Sequence, residues 1–254
     1  LNILLENEIT ALCCTPTYAL RLIEVAHKEG IDLSQSQLKT VIVAGEPGGS
    51  IASTRNRIES AWPNTKVFDH HGMTEVGPVT HQCLEIPDSL QVMEDAYLAE
   101  ILLPGENKPP PKDEEGELVL TTLTRTAMPL IRYRTGDLVR PQIYGEKLIL
   151  KGGILGRTDD MTIVRGVNVY PSIFERILRD FDEVTEYQVI VSNQGNLTEL
   201  LLKLEPIPNT NEESLREMVG KQIRNQLNLR VNVEITAPDT LPRFELKAKR
   251  WIQE

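Results

Sequence analysis

A short apolar run between two helical patterns constrains the fold of this sequence most strongly. Residues 40–44 read Thr-Val-Ile-Val-Ala, a β-branched run that is typical of a parallel strand buried in a sheet. Before this run, Thr15-Pro16 has the form of a helix start and Gly30 that of a helix stop. After it, a second helix is predicted over residues 51–62, and another strand begins at Lys66. This alternation predicts a parallel α/β layer with its functional loops at the strand ends.

After about Val92 the pattern changes to strands and turns. This part predicts a β-rich layer with strands over residues 97–103, 117–123, 130–133, 137–140 and 147–150. A second unit begins after Gly156-Arg157, where Ser172 and Glu175 have the spacing of a capping box that opens a helix through Phe181. The elements predicted after that helix are strands over 187–191 and 199–204, an amphipathic helix over 215–227 and a strand over 231–235. The second unit is therefore expected to be a small α+β domain resembling half a ferredoxin-like fold.

Charge and cysteine content narrow the class of partner and the compartment. The 254 residues include 27 Lys and Arg against 37 Asp and Glu, a net charge of −10, which argues against nucleic acid or an anionic membrane as the main partner. Apolar runs stay far below the roughly 18 residues that a membrane helix needs. The three cysteines form no disulfide framework, which favours a reducing cytoplasm.

A hydroxyl and a carboxylate stand side by side in the segment 72–77, Gly-Met-Thr-Glu-Val-Gly. The flanking glycines allow a ligand to approach the backbone closely. Thr74 and Glu75 could therefore serve a phosphate and its Mg²⁺, since Mg²⁺ takes carboxylate oxygen and keeps substrate phosphates as ligands. Taken alone, the segment favours the commoner interpretation, an ordinary turn with an exposed Glu.

Two further segments carry charge at turns. Residues 133–137, Tyr-Arg-Thr-Gly-Asp, predict a strand, a turn and then a carboxylate that suits the hydroxyls of a ribose. The commoner interpretation is a turn Asp that bonds to its own backbone. Residues 156–160, Gly-Arg-Thr-Asp-Asp, form a charged joint that would by itself be only a linker.

Together, the order and spacing of these segments resemble the AMP-forming adenylating superfamily of acyl-CoA ligases, and most closely its phenylacetate–CoA ligase branch. The resemblance extends over essentially the whole chain. The segments that carry it are residues 44–48, 69–78, 128–138, 156–161, 165–171 and 241–250.

The resemblance implies a fold, a reaction and its cofactors. Residues 1–156 would be the remainder of a large nucleotide-binding domain and residues 157–254 a small mobile domain. In such ligases a carboxylate attacks the α-phosphate of ATP, which gives an acyl-adenylate and pyrophosphate, and the CoA thiol then displaces AMP. The implied ligands are thus ATP or AMP, Mg²⁺, CoA and an aryl or arylacetic acid, most closely phenylacetate.

The resemblance also implies site residues, taken position by position. Thr74 would touch the phosphate, Glu75 would hold Mg²⁺, and Lys247 would be delivered to the reaction by the small domain. The usual Gly before that lysine is Leu246 here, and Lys249 is its rival candidate. The groups that would bind the nucleotide or CoA are Gly45, Glu46, Pro47, Asp69, His71, Gly72, Thr74, Asp137, Arg157 and Gly166.

Within that set, His71 would stack on adenine where many relatives carry Tyr, and Asp69 or the neighbouring His70 would lie near the adenine amino group. Asp137 would grip the ribose hydroxyls with help from Arg157. Gly45-Glu46-Pro47 would lie against the base, and Gly166 would line the path of the pantetheine arm of CoA.

Two further residues have implied roles of a different kind. Asp159 falls at the hinge about which the small domain of such ligases rotates. Tyr18 resembles a residue that walls the acyl pocket, although a plain core aromatic at a helix start is an equally good interpretation.

One departure from the pattern is informative. The relatives carry a Ser/Thr/Gly-rich phosphate-binding loop upstream, and no such loop occurs between Leu1 and Thr40. The chain therefore resembles the C-terminal part of such a ligase, either as a fragment or as a scaffold that has lost its front half. Two alternative functions stay open: adenylation of another carboxylate or of a cofactor without transfer to CoA, and a non-catalytic nucleotide-binding module. Association as a homodimer also stays open.

The missing loop generates a prediction. A polypeptide of these 254 residues alone is expected to show negligible acid-dependent exchange of pyrophosphate into ATP, because nothing in it cradles the β- and γ-phosphates. Exchange is measured with labelled pyrophosphate in the presence and absence of phenylacetate. A rate comparable to that of a complete ligase would contradict the expectation.

Overall fold

The computed structural model describes residues 1–194, 197–244 and 247–253, and the chain divides into two compact units, Leu1–Asp159 and Asp160–Glu254. The division falls three residues beyond the boundary expected after residue 156. The roles assigned to the two ranges stay predictions.

The first unit opens with a three-stranded parallel sheet. Its strands are β1 (Ala11–Cys14), β2 (Thr40–Val43) and β3 (Lys66–Asp69), hydrogen-bonded in the order β1-β2-β3. The helices that accompany the sheet are α1 (Asn2–Glu6), α2 (Pro16–Glu29) and α3 (Ala52–Ala61), with a 3-10 turn at Leu33–Gln35. The predicted parallel α/β layer is thereby confirmed.

Helix α2 begins and ends at the residues that the sequence predicts. The Thr15 hydroxyl accepts a hydrogen bond from the Tyr18 N–H, Pro16 occupies the first helical position, and Gly30 ends the helix at a φ of 67°. Glycine suits that end because a left-handed residue costs it little.

Burial of the parallel sheet differs from the expectation. Val41 and Val43 are fully buried against α2 and α3, whereas Ile42 on the opposite face of β2 is only half-buried. Ile42 and Phe68 instead line an open cavity of about 480 Å³. In the described part of the chain, helices pack on one face of this sheet, so the expected burial of β2 holds for that face only.

The first unit continues with strands and turns. In chain order these are β4 (Gly72–Met73), β5 (Gly77–Pro78), β6 (Thr80–Gln82), β7 (Ser89–Val92), β8 (Tyr97–Leu102), β9 (Gly116–Thr122), β10 (Tyr133–Val139), β11 (Pro141–Tyr144), β12 (Lys147–Lys151) and β13 (Gly156–Arg157). Strands β4 and β5 form a hairpin, and two antiparallel sheets have the orders β13-β10-β9-β8 and β11-β12-β7-β6. The predicted β-rich layer is present.

One strand of this layer was predicted in two pieces. Where a turn was expected at residues 134–136, the structure has a single strand, β10, whose register shifts between Arg134 and Leu138. Gly136 takes a φ of 77° there, and the Thr135 hydroxyl donates to the Leu118 carbonyl and accepts from the Asp137 N–H. The irregularity is thus absorbed inside the strand, as in a β-bulge.

The second unit is an α+β domain. Its elements are β14 (Thr162–Val164), β15 (Val167–Val169), α4 (Pro171–Leu178), β16 (Val184–Gln194), β17 (Leu197–Pro206), α5 (Glu212–Leu227), β18 (Asn232–Ile235) and β19 (Trp251–Gln253). The main sheet has the order β18-β17-β16-β19, with β16 and β17 antiparallel and both edge strands parallel to their neighbours. Phe174, Leu202 and Val219 are fully buried in its core.

The expected capping box and the expected end of the first helix of this unit are both wrong. Helix α4 begins at Pro171 without a side-chain cap and ends at Leu178, so Ser172 and Glu175 form no capping box. Glu175 is buried and accepts hydrogen bonds at 2.6 Å from Arg179 and from the Tyr187 hydroxyl. Proline at the first helical position needs no N–H partner, which removes part of the need for a cap. The short strand β19 was not predicted at all.

Among the described helices, none has the length and apolar character needed to cross a membrane.

Candidate active site

The loops that follow β1, β2 and β3 meet at one edge of the parallel sheet. The N–H of Ala44 donates to the Cys14 carbonyl and the N–H of His70 to the Val43 carbonyl, each at 3.2 Å. The Glu46 carboxylate accepts from the Thr17 N–H at 2.8 Å, which ties the 45–47 loop to the first turn of α2. The carboxyl edge of a parallel sheet is where α/β folds bind ligands.

Asp137 on β10 is the centre of a buried polar cluster. Its Oδ2 lies 2.9 Å from His71 Nε2 and its Oδ1 lies 3.2 Å from Nη1 of Arg157. Only 7% of the Asp137 side chain is exposed. An ionised carboxylate offers about four acceptor positions, so these two contacts leave room for two further donors.

Arg157 is held on its other side by Asp159. Its Nε and Nη2 donate to the two carboxylate oxygens of Asp159 at 2.9 and 3.0 Å, in a fork geometry. Hydrogen bonding from Arg157 holds the pKa of Asp159 below its ordinary value. Asp159, predicted as a hinge, is therefore also the residue that aims the guanidinium at Asp137, and the division between the two units follows directly after it.

Gly136 is needed at this cluster for two reasons. Its φ of 77° lies in the left-handed region, and a Cβ there would stand 3.0 Å from Nη2 of Arg157. Any side chain would therefore strain the bulge and push on the guanidinium.

His71 has one ring nitrogen occupied and one without a partner. Because an ionised carboxylate only accepts, the ring donates its Nε2–H to Asp137. Nδ1 is buried and has no hydrogen-bond partner among the described residues. A buried polar atom without a partner indicates a position that a ligand or water completes. The ring is thus fixed in place, as a residue flanking a base would need to be.

Asp69 ends β3 in a buried position. The Ser50 hydroxyl donates to its Oδ2 at 2.5 Å. Burial raises the pKa of Asp69 to about 6, although the hydrogen bonds from Ser50 act in the opposite direction. Gly153 packs so closely that a Cβ there would stand 2.7 Å from Ser50 Oγ. The Asp69 carboxyl group therefore keeps its proton up to a pH of about 6.

Thr74 and Glu75 lie in the turn between β4 and β5, and both are exposed. Arg125 donates to the Glu75 carbonyl at 2.7 Å, and the Tyr97 hydroxyl donates to the Val76 carbonyl at 2.6 Å, so the backbone of the turn is fixed. The Glu75 carboxylate has no hydrogen bond or ion pair within the described ranges. It is therefore available for a cation.

The second unit holds the remaining predicted residues. Arg165 and Gly166, with φ of 50° and 81°, form the two-residue turn between β14 and β15. Positive φ at both positions is the requirement of a type I′ turn. Lys247 and Lys249 are both exposed. Glu245 and Leu246, on which the departure from the family pattern falls, lie outside the described residues.

Sequence reasoning missed three residues that hold this site in place. Ser50 and Thr135 are small hydroxyl residues, and Arg125 is a loop arginine whose acceptor is a backbone carbonyl 50 residues away. The glycines before Ser50 could have marked its loop as a close approach. No pattern in the sequence marks the other two.

Comparison with known proteins places this geometry in a class. Residues 166–254 match the AMP-binding enzyme C-terminal domain. The structure superposes on a 2-hydroxyisobutyryl-CoA ligase solved in the postadenylation state with R3-HIB-AMP, with a TM-score of 0.90 and 30% identity. That match covers 99% of this chain and 56% of the other. The same ligase with 2-HIB-AMP and CoA in its thioesterification state gives a TM-score of 0.59 and 30% identity, over 99% of this chain and 55% of the other.

The fold is therefore that of adenylate-forming CoA ligases, which confirms the predicted resemblance and the α/β fold class. In sequence, the chain is 33% identical over 259 residues to the phenylacetate-coenzyme A ligase of Thermus thermophilus. This alignment covers 92% of the chain and 58% of the relative. The chain thus spans a little over half the length of the relatives it matches, and the roles of its individual residues stay predictions.

The burial of Asp69 generates a prediction about pH. The folded pKa of about 6 exceeds the ordinary value of 3.8, so the folded state holds a proton that the unfolded state has already released. Relative to the Asp69→Asn variant, the wild-type free energy of unfolding is expected to fall by about 3 kcal/mol as the pH rises from 3.8 through 6. Urea titrations at several pH values measure it.

Asp113→Asn is the control for this prediction, because Asp113 is exposed and its loss should leave the pH profile unchanged. A constant difference in stability between wild type and Asp69→Asn from pH 4 to 8 would contradict the prediction.

Proposed function

We propose that the protein carrying this chain is an AMP-forming CoA ligase that activates an aryl or arylacetic acid, most closely phenylacetate. The observation that carries the proposal is the buried Asp137 carboxylate, held between His71 and Arg157. Its two remaining acceptor positions suit the paired hydroxyls of a ribose. The names of the relatives support the same chemistry, since they are phenylacetate-coenzyme A and 2-hydroxyisobutyryl-CoA ligases.

The nucleotide site is proposed to extend from this carboxylate to the sheet edge. The 45–47 loop would lie against adenine, with the fixed ring of His71 and Gly72 flanking the base and Asp69 near its amino group. Gly72 contacts its partner strand so closely that a Cβ would stand 2.7 Å from the Gly77 carbonyl oxygen, which keeps this wall of the site thin.

The phosphates are proposed to lie at the β4–β5 turn. Thr74 offers a hydroxyl donor, and the Glu75 carboxylate would hold Mg²⁺, which prefers carboxylate and phosphate oxygens as ligands. When bound, Mg²⁺ would neutralise part of the phosphate charge. Arg125 keeps the turn in place through the Glu75 carbonyl.

The reaction follows in two steps. A carboxylate oxygen of the acid attacks the α-phosphorus, and the bond to pyrophosphate breaks. Lys247 would meet the negative charge that grows on the α-phosphate oxygens, as a compact cation on a long stem can do. The CoA thiol then gives up its proton to solvent, its sulfur attacks the acyl carbon, and the acyl–phosphate bond breaks so that AMP leaves with the bonding electrons. Gly166 would line the path of the pantetheine arm.

Tyr18 is proposed to wall the acyl pocket. It is half-buried, and it packs against the apolar cluster of the parallel layer. An aromatic side chain in the first turn of α2, beside the 45–47 loop, suits an aromatic acid. A cytoplasmic location and a homodimer stay predictions from the sequence.

The proposed function is tested on the natural protein in its full length. Incubation with ATP, Mg²⁺, CoA and phenylacetate is expected to yield phenylacetyl-CoA, AMP and pyrophosphate in equal amounts, detected by chromatography. Benzoate and 2-hydroxyisobutyrate serve as competing acids. Release of pyrophosphate without any thioester would favour an adenylating enzyme that does not use CoA, and no turnover with any acid would contradict the proposal.

A prediction about Lys247 separates the two steps. Lys247→Ala is expected to lower adenylate formation by about 10²–10³-fold, because one well-placed donor to the developing charge is lost. Synthesis of the thioester from supplied acyl-adenylate should stay nearly normal, since that step needs no such cation. Lys249→Ala is the matched control, as an exposed lysine two residues away, and should be mild in both assays. The reverse result would show that the tail is misaligned by two residues.

A second prediction concerns Asp159 as a hinge. Rotation of a domain needs one or two residues that absorb a large change in φ and ψ. Asp159→Pro would fix φ near −65° and should depress one half-reaction far more than the other. Asp159→Ala is the control, because it removes the bond to Arg157 but leaves φ free. Equal loss of both half-reactions in the proline variant, with the fold intact, would contradict a hinge at this position.

A further inference from the structure

Two glutamates of the second unit form a buried pair across neighbouring strands. Glu186 on β16 and Glu205 on β17 are direct partners in the strand register. They are 5% and 1% exposed. Two carboxylates directly opposite each other repel, and burial adds a large desolvation cost, so each needs a cation of its own. Both cations come from the C-terminal segment of the chain.

Arg243 neutralises Glu205. Its Nη1 lies 3.1 Å from Oε2, and its Nη2 bonds to Oε1, which makes a two-point fork. The N–H groups of Leu241 and Asp239 donate to the same carboxylate at 3.0 and 2.9 Å. Burial acts to raise the pKa of Glu205, but these hydrogen bonds outweigh it and hold the pKa below its ordinary value.

Arg250 neutralises Glu186 in the same manner. Its Nε and Nη2 lie 2.5 and 3.0 Å from the two carboxylate oxygens of Glu186, and its Nη1 lies 3.2 Å from Glu175. The guanidinium also lies 5.2 Å from the centre of the Tyr187 ring. The carbonyl of Arg250 accepts from the Val189 N–H at 2.7 Å, which starts the pairing of β19 with β16.

The two arginines bracket the proposed catalytic lysine. Paired residues on antiparallel strands, such as Glu186 and Glu205, have Cα atoms about 5 Å apart. Arg243 and Arg250, which flank the segment 244–249, therefore bond to adjacent carboxylates. Lys247 and Lys249 within this segment are exposed, whereas both attachments are buried. A fork between arginine and carboxylate restricts direction as well as distance.

We propose that Arg243 and Arg250 are positioning residues that act through Lys247, by fixing both ends of its segment to the pair Glu186–Glu205. The inference rests on the proposed role of Lys247 in adenylation. A lysine on an unattached tail would sample many positions, and a misplacement of about 1 Å can cost about 10²-fold in rate. The two ion pairs confine that sampling before ATP binds.

The first arm of the test uses the full-length protein and Arg243. Arg243→Gln is expected to lower the kcat of adenylate formation about 10²-fold, with little change in the KM for ATP and near-normal thioester synthesis from supplied acyl-adenylate. Arg243→Lys keeps the charge but loses the fork, and it should recover part of the rate. Arg140→Gln is the control, because it breaks an ion pair with Glu115 in the first unit and none of the pairs that attach the lysine segment, and it should leave adenylation within about twofold.

A double-mutant cycle distinguishes positioning from general destabilisation. If Arg243 acts through Lys247, adding Arg243→Gln to Lys247→Ala should cost little further adenylation rate. Additive losses, or equal loss of both half-reactions, would overturn the inference. If the wild type makes thioester but Lys247→Ala leaves the rate of adenylate formation unchanged, the proposed role of Lys247 is wrong. This inference is then wrong as well. If the wild type makes no thioester, the proposed function fails, and the second arm still tests the attachment.

The second arm needs no activity. Trypsin cleaves after accessible lysines, and cleavage requires the segment to open locally. In the 254-residue chain, Arg243→Gln should accelerate cleavage after Lys247 about tenfold, because hydrogen bonds to a charged group are lost, while Arg140→Gln should not. Mass spectrometry of the early fragments measures the rate. Equal rates in wild type and Arg243→Gln would overturn the attachment.

Discussion

The carboxylate of Asp137 joins parts of the first unit that lie far apart in the chain. His71 approaches it from the loop after β3, 66 residues earlier, and Arg157 approaches from β13, 20 residues later. The parallel layer and the β-rich layer therefore share one buried charge. A buried carboxylate is costly unless it is paired and hydrogen-bonded, so the positions of both neighbours depend on the same interaction. The proposed ribose site consists of the acceptor positions of Asp137 that His71 and Arg157 leave open.

The second unit uses the same physics for a different purpose. There the buried carboxylates of Glu186 and Glu205 lie on the sheet and that of Glu175 on helix α4, and arginines bring distant chain segments to them. Arg179 and Arg250 together hold the pKa of Glu175 at about 2 against the burial that would raise it. The segment that carries Lys247 is thus attached through an arginine at each end, and the pairing of β19 with β16 reinforces the attachment at Arg250.

Local signals made the bounds of α2 predictable, whereas contacts between residues that are distant in the chain were not predictable from the sequence. Thr15-Pro16 and Gly30 bound α2 as expected, because capping depends on neighbours in the chain. The spacing of Ser172 and Glu175 was misleading, because the Glu175 carboxylate is buried and bonds to Arg179, to Tyr187 and to Arg250, which lies 75 residues away. For the site, sequence motifs marked Asp137, His71 and Arg157 but not their contacts. Ser50, Thr135 and Arg125 were missed, since a single hydroxyl or loop arginine that bonds to a distant residue leaves no pattern in the sequence.

The paired arginine–glutamate attachments have a consequence for temperature. The desolvation cost of an ion pair falls on heating, whereas apolar burial gains little further strength per unit area. The segment that carries Lys247 is therefore attached by interactions whose relative weight increases with temperature. The hairpin of β14 and β15 has no comparable buried charge among the described residues, and Ile163 in it is 57% exposed. Heat would thus be expected to loosen that hairpin before it releases the lysine segment.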